Sequence, residues 1–197
     1  MGNGFAAVPG APVSNRYTIP AGIADNGAVG GVYGTSNPGI FLYFNGKYYY
    51  PPLPLPFTDH PYFFADIFGG VINNHFHMAG RIAVFRTSQT LKPHYLGWIT
   101  TSLVAPAAIF LNDGKLTNLA VAAINKSDHV TGVSTVADGT QTVFVWSKES
   151  GMVTVGSWPA AQTVAVTGFN DSGEVMLNVT GAGVTQSEVE VCSGSGC

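Results

Sequence analysis

One turn recurs four times along this chain, and its spacing restricts the fold more than any other feature. The stretches are IADNGAVGG (23–31), INNHFHMAG (72–80), INKSDHVTG (124–132) and FNDSGEVML (169–177). Each starts with Ile or Phe and runs through a polar turn. An apolar residue follows six positions on, at Val29, Met78, Val130 and Val175. Three copies carry a glycine two residues later, Gly31, Gly80 and Gly132. The starts at 23, 72, 124 and 169 lie 49, 52 and 45 residues apart, the size of one propeller blade.

A second element follows each turn. IFLYFNGKYYY (40–50), IFLNDGKLTNL (109–119) and VFVWSKESGMVTV (143–155) each run an aliphatic–Phe–aliphatic triplet into a polar turn and a further short strand. In the third copy, HVTGVST, QTVFVWS and MVTVGSW are separated by turns at Ala137-Asp138-Gly139 and Glu149-Ser150-Gly151. The second copy is irregular. An extra hairpin-like stretch, RIAVFRTSQTLKPHYLGWITTS, separates its turn from IFLNDGKL.

The expected fold is therefore all-β: a small propeller-like single domain, 1–197, of about four antiparallel blades. A clasp between residues 14–22 and 173–192 is expected to close the ring and remove sheet edges. The alternatives are a linear stack, half of a larger ring completed by a second chain, and a sandwich. With 25 Gly, 12 Pro and 10% charged residues, against about 25% in an average domain, the composition suits a turn-rich β protein. So little charge suits a secreted or surface-assembled protein.

The net charge of −3 comes without basic blocks, so no nucleic-acid partner is expected. No apolar run approaches the roughly 20 residues that span a bilayer, so no membrane insertion is expected. The start, MGNGFAAVPGAPVSN, lacks the regions of a signal peptide, so export would need a leader outside this sequence. Cys192 and Cys197 close the chain in VCSGSGC, a spacing that permits a small disulfide within or between chains.

The pattern I-N-x-x-G-x-V-x-G, an aliphatic–Phe–aliphatic–Trp strand, and G-x-M-x-x-x-G resembles the HAF-type repeats of bacterial extracellular proteins. INKSDHVTG, VFVW and GMVTVG carry the likeness best, over roughly residues 20–180. The His-Ala-Phe triplet of that family is absent. Its places read Gly39-Ile40-Phe41, Ala108-Ile109-Phe110 and Thr142-Val143-Phe144. The resemblance implies a propeller-like β fold and export, and no catalytic residue.

Residue chemistry points to binding. No nucleophile elbow, phosphate loop or dinucleotide fingerprint occurs, and no cofactor is expected. Asp59, His60 and Asp66 could supply a hydrolase or lyase site only through a spatial accident. His77, His129 and Glu174 share one repeat slot and form the alternative metal set. His75 falls in a polar turn slot. Asp128 and Asp171 read as turn formers. The aromatic surplus is more telling: Tyr48, Tyr50, Tyr62 and Trp158 are the candidate ligand- or partner-binding residues. Alternation puts Tyr48 and Tyr50 on one face and Tyr49 on the other. The first reading is a subunit of a filament, appendage or coat, associating with itself or another surface protein. A lectin-like glycan binder is the alternative, and an extracellular polymer hydrolase or lyase comes third.

Overall fold

The computed structural model describes residues 18–33, 39–51, 62–86, 94–101, 108–111 and 118–191. Among these the chain forms 15 strands and no helix, arranged as four antiparallel sheets in chain order. No helix is thus long and apolar enough to cross a membrane. The first sheet is β1 (Thr18–Ile23), β2 (Val29–Tyr33), β3 (Gly39–Phe44) and β4 (Lys47–Tyr49). The second is β5 (Tyr62–Ile72), β6 (Met78–Arg86), β7 (His94–Thr100) and β8 (Ala108–Phe110). The third is β9 (Leu119–Ile124), β10 (Val130–Thr135), β11 (Gln141–Ser147) and β12 (Gly151–Trp158). The fourth has three strands, β13 (Gln162–Phe169), β14 (Glu174–Gly181) and β15 (Val184–Val191).

Every sheet is a meander of consecutive strands, and the turns among the described residues carry the chemistry they need. Asn45-Gly46 and Ala182-Gly183 both take positive φ, as a two-residue hairpin turn demands. The turn at 24–28, and its counterparts, joins the first strand of each sheet to the second. The repeat therefore begins one strand earlier than the motif suggests, near residues 18, 62, 119 and 162.

A repeated irregularity explains the recurring glycine. The first strand of each sheet shifts register near its end, between Pro20 and Gly22 in β1 and opposite Thr131 and Gly132 in β9. The shift presses a carbonyl onto the neighbouring strand. A Cβ on Gly31 would lie 2.3 Å from the Ile19 oxygen, and one on Gly132 would lie 2.1 Å from the Ala120 oxygen. On its other side each glycine faces an aromatic: Phe41 opposite Gly31, Trp98 opposite Gly80, Phe144 opposite Gly132. All three rings are fully buried. The fourth sheet replaces the glycine with Leu177, also fully buried.

These pairs correct the reading of the second copy. Its third strand is β7, which carries Trp98, and Ala108–Phe110 is the fourth strand. The stretch taken as an extra hairpin is thus the ordinary second and third strands, with an aromatic of another type at the marker position.

Three hydrophobic cores join the four sheets. One holds Val32, Ile40 and Leu42 of the first sheet with Met78, Ile82 and Trp98 of the second. Another joins Ala79 and Ile99 to Val130, Phe144 and Trp146. The last joins Val143 and Val145 to Val175, Leu177 and Val179. The aliphatic–Phe–aliphatic triplet is split between the two sides of its strand, Phe144 to one core and Val143 and Val145 to the next. Burying each such side chain stabilises by about 1.5–3 kcal/mol.

Among the described residues no core joins the fourth sheet to the first. The expected clasp between residues 14–22 and 173–192 is not shown among the described residues: Thr18–Ile23 pairs with β2 of its own sheet, where the Ala24–Ala28 turn folds it straight back. In the fourth sheet β14 lies between β13 and β15. Cys192 and Cys197 lie outside the described residues.

Candidate functional site

The four recurring turns are built alike. The N–H of the first residue donates to the carbonyl of the fifth: Ala24 to Ala28 at 2.9 Å, Asn73 to His77 at 3.0 Å, Asn125 to His129 at 3.0 Å, Asn170 to Glu174 at 3.1 Å. The N–H of the fourth residue returns to the carbonyl of the first. That fourth residue sits at positive φ in every copy: Gly27 (83°), Phe76 (65°), Asp128 (65°) and Gly173 (86°). This is a type I turn followed by a left-handed residue, which matches the twist of the strands it joins.

Three of the turns add an asparagine at the first position. The side-chain oxygens of Asn73, Asn125 and Asn170 each accept two turn N–H groups, two and four residues on, at 2.9–3.1 Å. Their amide groups reach outward. Asn73 Nδ2 donates to the Asn125 carbonyl at 2.9 Å, and Asn125 Nδ2 to the Asn170 carbonyl at 3.2 Å. Asn170 Nδ2 donates instead to the carboxylate of Glu174 in its own turn.

Other bonds tie the same turns together. Asn26 Nδ2 donates to the Asn74 carbonyl at 2.9 Å. The N–H of Lys126 donates to Asp171 Oδ1 at 3.0 Å, and its ammonium lies 2.8 Å from Oδ2. The Lys126 side chain, and then its main-chain N–H, holds the Asp171 carboxyl below the usual carboxylate range.

Equivalent triplets from all four repeats line one cavity of about 340 Å³: Ile23-Ala24-Asp25, Ile72-Asn73-Asn74, Ile124-Asn125-Lys126 and Phe169-Asn170-Asp171. The four sheets therefore border a common mouth, lined by amides, carbonyls and carboxylates with an Ile or Phe from each repeat. Such a surface suits ligand binding and offers no activated nucleophile.

The histidines fall elsewhere than the repeat alignment suggests. His77 Nδ1 lies 2.7 Å from Asp128 Oδ1 of the next turn, which also accepts from Asn73 Nδ2 at 2.7 Å. Its neighbours in a ligand-sized group are His75 and Asp128, so His129 and Glu174 do not join it. His129 Nδ1 is buried without a hydrogen-bond partner, and Glu174 is engaged by Asn170. Asp128 does more than form a turn: it adds a link between the second and third repeats.

The aromatic candidates divide. Tyr48 and Tyr50 stack in parallel, centroids 6.1 Å apart at 9°, while Tyr49 packs into the first core on the opposite face. Tyr43 lies 4.9 Å from Tyr48 and Tyr33 lies 5.3 Å edge-on to Tyr50. Burial, with the neighbouring phenols second, raises the pKa of Tyr48 and of Tyr50. Trp158 packs against the third core over Gly156, which takes it away from a free ring on a loop. Tyr62 and Asp66 stand on β5, opposite Arg86 and Ala83, with side chains outside the described residues. Asp59 and His60 lie outside them altogether.

Sequence reasoning passed over Asn73, Asn125 and Asn170, the residues that organise the mouth. Their signal was present as an apolar–Asn pair opening three of the four turns. No family model matches the chain, nor does any curated protein sequence.

Proposed function

We propose that this chain is a propeller-like binding protein of structural type, an extracellular or surface subunit that assembles with copies of itself. The observation that carries this reading is four sheets joined by only three cores among the described residues. Ile23 ends the first strand of the first sheet and is 72% exposed, whereas Ile72, its counterpart in the second, is 8% exposed. What covers Ile72 is a neighbouring sheet.

The outer faces of the first and fourth sheets are suited to contact. On the first sheet, cross-strand pairing sets Val29, Tyr43 and Tyr48 on one face, with Phe41 beneath the tyrosines. Tyrosines with few rotatable bonds are common anchors of protein interfaces. On the fourth sheet, Val175, Leu177 and Val179 turn inward, leaving Met176 and Val189 paired on the outer face, both exposed. The pairs Asn178–Ser187 and Thr180–Thr185, each joined by a side-chain hydrogen bond, continue the same face. A second copy placing its fourth sheet on the first sheet of its neighbour would repeat the packing already used three times within the chain. This contact is head-to-tail, so it yields either a closed ring or a filament. A Cys192–Cys197 bond within or between copies and the HAF-type likeness belong to the same reading.

Light scattering with and without reductant tests it. Particles that are multiples of 20.6 kDa are expected, shifting to a single chain in Met176→Arg. A wild-type particle of 20.6 kDa would overturn the reading. Glycan binding has one supporting feature, the parallel pair Tyr48 and Tyr50, the latter 40% exposed. Saturable glycan binding lost in Tyr50→Ala would favour it.

A further inference from the structure

The second turn alone carries two histidines, His75 and His77. His75 stands where the others carry Asn26, Ser127 and Ser172. Asn73 Oδ1 accepts the main-chain N–H of His75 at 3.0 Å and of His77 at 3.1 Å, so one side chain anchors both residues. Their rings lie 6.0 Å apart. Across the junction, Asp128 takes a φ of 65° where the first and fourth turns have Gly27 and Gly173. One ligating atom from each of His75, His77 and Asp128 lies within 4.8 Å of the other two.

We propose that His75, His77 and Asp128 bind a divalent transition-metal ion of the zinc class, joining the second and third turns. Two imidazoles and one carboxylate make a mixed nitrogen and oxygen donor set, which favours Zn²⁺, Ni²⁺ or Cu²⁺ over Ca²⁺ and Mg²⁺. Zinc bonds of about 2.0–2.1 Å in tetrahedral geometry set ligand atoms roughly 3.4 Å apart. His77 Nδ1 and Asp128 Oδ1, now 2.7 Å apart, spread slightly to take the ion between them, while His75, which is exposed, rotates inward to complete the set. His77 and Asp128 keep 21% and 32% of their side chains exposed, so the ion enters from solvent and retains a position for water.

A plain hydrogen-bonded pair would account for His77 and Asp128. It leaves unexplained a second imidazole at the same point.

The test is calorimetric titration of the full chain with ZnCl₂, with Co²⁺ as a visible probe of coordination. One ion per chain is expected, with a rise in Tm on adding Zn²⁺ and none on adding Mg²⁺. His75→Ala weakens Zn²⁺ binding about tenfold or more and leaves the metal-free Tm unchanged, since its side chain is exposed. Asp128→Asn, which keeps the side-chain volume, also weakens binding. Absence of heat and of a Tm shift at about 100 μM Zn²⁺ overturns the proposal. Unchanged affinity in His75→Ala overturns it equally.

Discussion

Asn73 and Asn125 hold the same place in successive repeats, and the side-chain amide of Asn73 donates to the main-chain carbonyl of Asn125 at 2.9 Å. Asn125 makes the same bond to Asn170 at 3.2 Å. The ladder stops at both ends for visible reasons. Ala24 has no amide to give, and Asn170 spends its own on Glu174. Where this ladder runs, the turns of adjacent sheets are fixed to each other and the mouth keeps its shape.

Asn125→Ala removes two accepted turn bonds and one bond between turns from a side chain that is almost fully buried. A loss of about 2–3 kcal/mol is expected. Urea unfolding monitored by tryptophan fluorescence gives the value. An effect under half a kilocalorie would mean that the ladder is decoration.

Ala24→Asn is the complementary change. It restores the residue that the other three turns share, and its oxygen can take over the Ala28 N–H that Asn26 Oδ1 now accepts at 3.0 Å. A gain of about 0.5–1.5 kcal/mol is expected in the same assay. A loss would show that the first turn has no room for the side chain.

Gly132→Ala places a methyl 2.1 Å from the Ala120 carbonyl oxygen, so the register shift in β9 must yield. We expect a cost of about 1–3 kcal/mol, read as a lower Tm. Gly151→Ala meets nothing within 4 Å and carries only the strain of its φ of 67°, about 1–2 kcal/mol. Comparing the two separates crowding from backbone strain.

The tyrosine face sets an alkaline limit. Tyr48 and Tyr50 have folded pKa values above their unfolded value of 10.0, burial being the larger cause and neighbouring phenols the smaller. Their contribution is complete below the unfolded pKa and is lost as pH rises through the folded values. Both side chains keep part of their surface in solvent, so the effect is modest in energy. It is distinct in spectroscopy: tyrosinate absorbance should show a late-titrating component that Tyr48→Phe reduces.

Much of this architecture is legible in the residues. Val29, Met78, Val130 and Val175 are spaced by the repeat, and all four are core. QTVFVWS is β11 residue for residue, because Gly139 and Gly151 punctuate it at positive φ. The second copy was misread because Trp98 replaces the expected Phe, and chemical similarity across a marker position does not show as identity of letters. The bulge was hidden too, since a register shift leaves no mark on its own strand and shows only as glycine on the neighbour. The His77–Asp128 pair joins residues 51 apart through packing of two turns, a relation no local pattern encodes. His129 was aligned correctly with His77 and yet points into the protein. Repeat position fixes the backbone slot and leaves the side chain's partner to the neighbouring sheet.

Three cores in a line also dictate how the molecule comes apart. Each junction links sheets that are neighbours along the chain, so cohesion is a nearest-neighbour property, as in a row of stacked units. Among the described residues the second and third sheets are braced on both sides and the outer two on one side only. Amide exchange should therefore run inward from the two ends. β10 and β11 would be the last to open, and any contact that covers the end sheets would slow the whole sequence.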